Sequence, residues 1–428
     1  MLALLLALQA VPAQSDSLPR VTLVEALQRA ARLDPNYVSA LGQIDNAQWG
    51  RRNAFAVFIL PSVTIGTTMQ RSDPPSFLFT DSLVRTKTLW TANLVARYDV
   101  FTGGQKIAEL TRSAAALEGA RADELRQRFA TAQLTESDYY AVLADVELDR
   151  VARERLRRAQ EQLSVARARV LSGAAVSTDS LNLRLELARA QVGQIQQQSI
   201  LRVSRLQLGR RVGTVGPVDA VPLDSAPAPD LPIALADAIS EAARQGPEYR
   251  VAAANERAAS AAYRAELGNY LPRATLTFTS NTVDQKFYPQ LFTQQSLVLG
   301  ISLPIWNNGQ RELNLSRARV NKDVARATRV DMDRGVLADV TAAYDQYETS
   351  RASARVARDA VIVARENFRV QQTRYSAGAT TILDLITSQV ALSEAESARV
   401  QAEYATRLAL AGLETILGRR LFSDKGTQ

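Results

Sequence analysis

The chain contains no cysteine and no histidine in 428 residues. The first absence excludes disulfide scaffolds, thiol catalysis and thiolate metal sites. The second removes the commonest general base and metal ligand. Aromatics are scarce, at 6%. After the N-terminus there is no uninterrupted apolar run long enough for a conventional transmembrane helix. No nucleophile–base pair or phosphate loop stands out, so an enzyme is the most distant reading and neither cofactor nor metal is expected. Gly103-Gly104 and Asn308-Gly309 read as turn residues, not nucleotide cradles.

The net charge of +7 is carried by arginines interleaved with acids, as in Arg153-Glu154-Arg155 and Arg365-Glu366. That pattern suits a solvated helix surface better than a phosphate-binding stripe, so no nucleic-acid partner is expected. Residues 2–8 are apolar and lead to Val11-Pro12-Ala13, with small residues where a signal peptidase needs them. Residues 1–13 therefore read as a secretory signal lacking a basic n-region. No cysteine follows, so lipid attachment at the mature N-terminus is not expected.

What the chain does have is an internal echo. Phe101-Thr102-Gly103-Gly104-Gln105-Lys106 returns as Trp306-Asn307-Asn308-Gly309-Gln310-Arg311, a shift of 205 residues. The same shift carries Arg169 to Arg374, Gly173 to Gly378, Asp179 to Asp384 and Gly213 to Gly418. Loops drift in length, whereas one inserted residue would rotate the whole apolar face of a packed helix. The echo thus implies a duplicated unit built mostly of long helices. The expected division is a first repeat over 14–212, a proline-rich linker over 213–232, a second repeat over 233–418 and a short tail over 419–428.

Each repeat follows one order. A short helix (Leu23–Arg32, Leu235–Arg244) precedes Asp34-Pro35 or Gly246-Pro247, where proline suits the first position of a second helix. That helix stops at Leu60-Pro61 and Leu271-Pro272. The pattern then alternates. Val63, Ile65, Thr67 and Met69 share one parity, as do Trp90, Ala92, Leu94, Ala96 and Tyr98. Ala274, Leu276 and Phe278, then Leu297, Leu299, Ile301 and Leu303, repeat it. These are two β-hairpins over about 62–100 and 273–305, apolar on one face.

From Gln105 to Leu171 and from Gln310 to Tyr375 no proline interrupts a helix-forming run. Such a helix is roughly 100 Å long, a reach that a coiled coil needs and a globular core does not. The returning helices carry heptad-like seams: Leu181, Leu185, Ala188, Val192, Ile195 and Ser199, with Ile386, Val390, Ser393, Ser397, Val400 and Tyr404 as counterparts.

Four strands with one lipid-like face leave open edges, which a bilayer does not tolerate. Three copies would close a twelve-stranded barrel. Trp90, Tyr98, Phe101, Phe287, Tyr288, Phe292 and Trp306 sit toward strand ends, as an interfacial girdle would.

With these features the chain resembles the TolC-like outer-membrane efflux proteins from Leu23 to about Gly418. The resemblance rests on the Leu-x-x-Ala-Leu opening at Leu23–Leu27 and its copy from Leu235, on the Leu-Pro exits and on the paired aromatic-x-x-Gly-Gln junctions. It rests also on two helix-turn-helix tips, Arg169–Asp179 and Arg374–Leu385. It implies a mostly helical homotrimer in the outer membrane with a large periplasmic part. Four strands per chain would form the barrel, and an antiparallel coiled-coil tunnel would continue from it. The tips would dock a periplasmic adaptor and an inner-membrane pump, and conduction would be passive.

Two readings of the tips stand side by side. In the first they are caps: Gly173 and Gly378 supply left-handed residues, Ser177, Thr178 and Asp179 supply acceptors, and Thr381 with Asp384 has capping-box spacing. In the second, implied by the resemblance, they form the tunnel entrance. Asp384 would join its symmetry mates in a carboxylate ring that attracts cations, and Tyr375 would bond Asp179 to hold the entrance closed. Thr380 and Thr387 stand where some members carry an arginine and a second aspartate, which implies a weaker lock and a less acidic constriction. The resemblance also makes Gly173, Ala174, Ala175, Val176, Thr178, Gly378, Ala379, Thr381, Ile382 and Leu383 the adaptor contact. The alternative to a channel is a non-conducting periplasmic coiled-coil adaptor or scaffold. The resemblance fits the exit duct of a tripartite efflux or a type I secretion system alike, and whether the cargo is drug, protein or metal is not legible.

Overall fold

The computed structural model describes residues 18–77, 85–173, 175–223, 228–287 and 292–422. The expected signal segment 1–13, Ala174 of the first tip, Tyr288 and tail residues 423–428 lie outside them.

A two-residue strand β1 (Arg20–Val21) leads into α1 (Leu23–Leu33), capped by the Thr22 hydroxyl, which accepts from the Glu25 N–H at 3.3 Å. Asp34 then ends α1 and starts α2 (Pro35–Ile59), its carboxylate accepting from the N–H groups of Asn36 and Tyr37 at 2.9 and 3.2 Å. Two strands follow, β2 (Ser62–Phe77) and β3 (Arg85–Thr102). The long helix α3 (Gln105–Leu171) turns back into α4 (Ser177–Arg211). The linker holds β4 (Asp219–Ala220), and the second repeat runs α5 (Leu235–Gln245), α6 (Pro247–Leu267), β5 (Arg273–Asp284), β6 (Phe292–Ser302), α7 (Gln310–Ser376) and α8 (Ile382–Leu417). Both long helices have 67 residues. The duplicated junctions fold alike because Gly103, Gly104, Asn308 and Gly309 all take positive φ.

The described residues form two compact units, and neither is a repeat. Of these residues, one unit collects those within 18–39, 125–247 and 336–422, and the other those within 40–124 and 248–335.

In the first unit the duplication shows as two related cores. Tyr139, Tyr140, Val142 and Leu143 of α3 pack on Leu208 and Val212 at the end of α4, with Val21, Ala26, Val218 and Ala220. Val340 of α7 packs on Leu413 and Leu417 of α8 with Ala238 and Ala242 of α5. A third core lies near the tips. The segment 213–232 is more structured than its prolines suggest. β4 pairs in parallel with β1, and the hydroxyls of Tyr139 and Tyr347 donate to the Val221 and Pro229 carbonyls, each at 2.7 Å. Burial pushes the Tyr139 phenol up to about 12, so it stays a donor.

The expected α4 seam faces away from the rest of its own chain. Leu181, Leu185, Val192 and Ile195 are each more than half exposed, while Leu183, Glu186, Ala190, Leu201 and Leu208 are buried within the chain. A heptad of apolar residues reports that a partner exists, not which molecule supplies it. In α8 the expected seam does turn inward, with Ser393 and Val400 buried.

In the second unit the hairpins join into one antiparallel sheet in the order β2-β3-β5-β6. Its register brings Val63, Ala96, Phe278 and Leu297 into one row, and Tyr98, Leu276 and Leu299 into another. The opposite face carries Arg97, Asn93, Thr277, Thr279, Asn281 and Gln294. Phe292 pairs with Val283 and shares the parity of Gln294, so it falls on the polar face. Its place in an outward girdle is therefore corrected. Trp90 does lie on the apolar face, its ring edge-on to Phe287 at 4.8 Å.

Candidate functional site

The two helical turns carry the candidate site. Each long helix ends on a glycine with left-handed φ, +76° at Gly173 and +74° at Gly378, a conformation glycine adopts without strain. From there the turns diverge. α8 begins with a complete capping box: the Thr381 hydroxyl accepts from the Asp384 N–H at 3.2 Å, and Asp384 Oδ2 accepts from the Thr381 N–H at 3.2 Å. The hydroxyls of Thr381 and Thr380 donate to the same oxygen at 2.7 and 2.9 Å. These bonds, the Thr381 hydroxyl foremost, hold the Asp384 carboxyl below its ordinary value. Asp384 is exposed and ionised.

α4 begins differently. Its N-cap is Val176, which has no side-chain oxygen, and no side-chain cap bond forms. Ser177, Thr178 and Asp179 lie inside the first turn, so their expected capping role is corrected. Spared from capping, Asp179 accepts a long hydrogen bond from the Tyr375 hydroxyl at 3.4 Å, the contact expected between the tips. Tyr375 is buried at 5% exposure, and burial followed by the Asp179 charge raises its phenol above the ordinary value. It remains a donor at any ordinary pH.

One residue not expected at the site joins it. Arg169, in the last turn of α3, donates from Nη1 to the main-chain carbonyl of Tyr375. Its guanidinium also lies 4.8 Å from the centre of the Tyr375 ring. Its repeat counterpart Arg374 looks the same in sequence, so no local signal separates their roles.

The tip residues sort by exposure. Val176, Thr178, Gly173, Gly378, Ala379 and Leu383 are exposed, Leu383 at 69%, and Ala175 is half-buried. Ile382 is corrected as a surface contact: at 7% exposure it packs with Leu163, Ala166, Leu183, Phe368, Tyr375, Leu385 and Leu392. The first residue of a helix that enters a core points inward, whatever the turn before it does. Thr381 is spent on capping. Thr387 is exposed on α8. Behind the tips, Arg155 of α3 bonds the nearly buried Glu186 of α4 at 2.6 Å, and Arg158 reaches Glu396 of α8 at 3.1 Å. Among the described residues, no cluster of His, Cys, Asp or Glu could hold a metal ion. The site offers polar and ionic bonds that join turns, and nothing that performs bond chemistry.

The sequence matches the family described as outer membrane efflux protein over residues 26–214 and 238–419, one segment in each repeat. OpmQ of Pseudomonas putida, a pyoverdine export outer membrane protein, is 27% identical over 394 residues, covering 86% of this chain and 80% of the relative. Among solved structures, the CmeC outer membrane channel of Campylobacter jejuni superposes with a TM-score of 0.81 at 14% identity, covering 94% of this chain and 87% of that one. The outer membrane protein VceC of Vibrio cholerae gives 0.77 at 16% identity, covering 94% and 97%. At such identities the structural likeness is one of fold.

Proposed function

Because the chain belongs to the outer membrane efflux protein family, and is an outer-membrane efflux channel rather than an enzyme, we propose that it works as a homotrimeric exit duct. Its tips would receive cargo from a periplasmic adaptor and an inner-membrane pump. The sheet carries this reading. Among the described residues β2 and β6 are each paired on one side only, and three antiparallel pairings separate them. They therefore run in opposite directions, so β6 of one copy can pair antiparallel with β2 of the next. Three copies close a twelve-stranded barrel with its apolar face to lipid and its Thr-, Asn- and Gln-rich face to the lumen. Left open, each unpaired backbone group in hydrocarbon would cost several kcal/mol.

The helices support the same assembly. The exposed α4 stripe needs a partner, and Val356, Val363 and Val370 leave a second heptad stripe exposed on α7. Two different faces meeting head to tail generate a ring. At the tips of such a ring Asp384 would form a triad of carboxylates, with Thr380 bonded to it and Thr387 at the neighbouring position. The Tyr375–Asp179 bond would hold the entrance closed. The exposed Gly173, Ala175, Val176, Thr178, Gly378, Ala379 and Leu383 would meet the adaptor, with little charge to read. Likeness to a pyoverdine exporter supports a small-molecule cargo over a secreted protein.

The test is electrophoretic and electrical. Unheated protein in mild detergent should migrate as a trimer and open ohmic pores in planar bilayers. The double variant Asp179→Ala with Tyr375→Phe should raise single-channel conductance. A monomer that never conducts would refute the duct, and a trimer whose conductance ignores the double variant would refute the gate.

A further inference from the structure

The last turns of the long helices each carry one arginine, Arg169 in α3 and Arg374 in α7, and the 205-residue shift makes them counterparts. A cation suits either place, since free carbonyls and the helix dipole concentrate negative charge at a C-terminus. Their surroundings differ. Arg374 is exposed, and its Nη2 donates to the Ala379 carbonyl of its own turn at 3.4 Å. Arg169 is half-buried and crosses to the other turn. Its Nη1 donates to the Tyr375 carbonyl and its guanidinium stacks on the Tyr375 ring. Its Nη2 lies 3.5 Å from where a Cβ would stand on Gly378. Arg169 thus neutralises the C-terminus of a helix that is not its own.

From this geometry we infer that Arg169 is the latch of the entrance, a positioning residue that holds the second turn against the first through Tyr375. The inference rests on the gate reading above and names the group that supplies most of the hold. The Tyr375–Asp179 bond is long at 3.4 Å. A guanidinium bonded to a helix-terminal carbonyl and stacked on an aromatic face combines a charge-assisted bond with a cation–π contact. Both interactions converge on Tyr375, so moving α7 away from α3 and α4 breaks them together. Position 380, where some members of the resembled family carry an arginine, holds a threonine bonded to Asp384. The cation that closes the turns comes instead from α3. Gly378 keeps the guanidinium's side of the turn free of any side chain.

The experiment is single-channel recording of purified full-length protein, with thermal dissociation of the trimer measured in parallel. Arg169→Ala should raise conductance several-fold with little change in dissociation temperature. Arg169→Lys should lie between wild type and alanine, because it keeps the charge and loses the planar stack. Arg374→Ala should match wild type. If Arg169→Ala does not assemble, Arg169→Met retains the aliphatic stem and carries the same expectation. Wild-type conductance in Arg169→Ala, beside an open Asp179→Ala/Tyr375→Phe channel, overturns the latch and leaves the gate standing. Equal opening by Arg374→Ala overturns it as well, since any loss of positive charge would then suffice. If none of these variants opens the channel, latch and gate fall together.

Discussion

Arg420 is held between two carboxylates that are nearly out of water. Its two terminal nitrogens reach Glu136 and Glu414, each at 2.6 Å, and those acids are only 5% and 3% exposed. Glu414 also accepts the Leu421 N–H at 2.8 Å, so one arginine fastens the end of the described chain to α3 and α8. Burial raises the Glu136 carboxyl above its ordinary value, outweighing the pull of Arg420 in the other direction. The sign follows by linkage. A carboxyl whose folded value is raised binds more protons in the folded state, so its contribution is fullest in acid and is lost as pH rises through that value. Arg420→Met leaves two buried acids without a counter-ion. It should cost about 2–3 kcal/mol at neutral pH, less than a fully buried pair because the arginine is partly exposed. Part of that loss should return near pH 5, as the stranded acids take up protons. Glu136→Gln should instead be neutral or stabilising. Thermal melts of both variants at two pH values decide this; a pH-independent loss in Arg420→Met would mean the acids find other partners.

The turns between elements show where equal sequence spacing yields unequal structure. Asp179 and Asp384 are exact counterparts in the 205-residue shift, yet Asp384 closes a capping box and Asp179 does not. The cause lies three residues earlier, at the N-cap, where threonine at 381 faces valine at 176. Val176→Thr should supply the missing cap and stabilise α4 by about 1 kcal/mol. It should also draw Asp179 away from Tyr375, so the melt should rise while the closed-state conductance rises too. A higher melt with unchanged conductance would separate capping from gating. A second element-scale contrast lies at the first strand-to-helix junction. A Cβ on Gly103 would stand 2.3 Å from the Gly268 carbonyl oxygen, whereas one on Gly104 meets nothing within 4 Å. Gly104→Ala should cost only the left-handed strain, about 1–2 kcal/mol, and Gly103→Ala distinctly more. Equal losses would mean that the two backbones move apart freely. Much of this was legible in advance. Helix ends show wherever proline or glycine marks them, as at Pro35, Pro61, Gly173 and Gly378, and strands show through alternation. The pairing of β1 with β4 was not legible, because two residues carry no period. The inward turn of Ile382, the polar-face position of Phe292 and the reach of Arg169 were not legible either. Each depends on a neighbour that is distant in sequence.

At the scale of the whole molecule, α4 keeps Leu181, Leu185, Val192 and Ile195 of its heptad-like seam largely exposed, while Leu183, Ala190, Leu201 and Leu208 are buried within the chain. α4 therefore has two apolar stripes, one satisfied inside the chain and one facing out. A helix apolar on two sides suits the continuous wall proposed above, in which the exposed heptad on α7 would offer the matching edge. The prediction separates the stripes. Val192 and Ile195 are 55% and 64% exposed, so Val192→Glu with Ile195→Glu should leave each chain's helices intact. In a closed ring the same carboxylates would be buried without partners, at a cost several side-chain contacts cannot offset. Unheated protein should then run as monomer with undiminished helical circular dichroism, and bilayer conductance should vanish. Leu183→Glu, on the inward stripe at 0% exposure, should instead lower helicity and melt the chain itself. A heat-labile trimer that survives the outward pair of charges would show that α4 faces solvent in the assembly, and the ring would have to close through other surfaces.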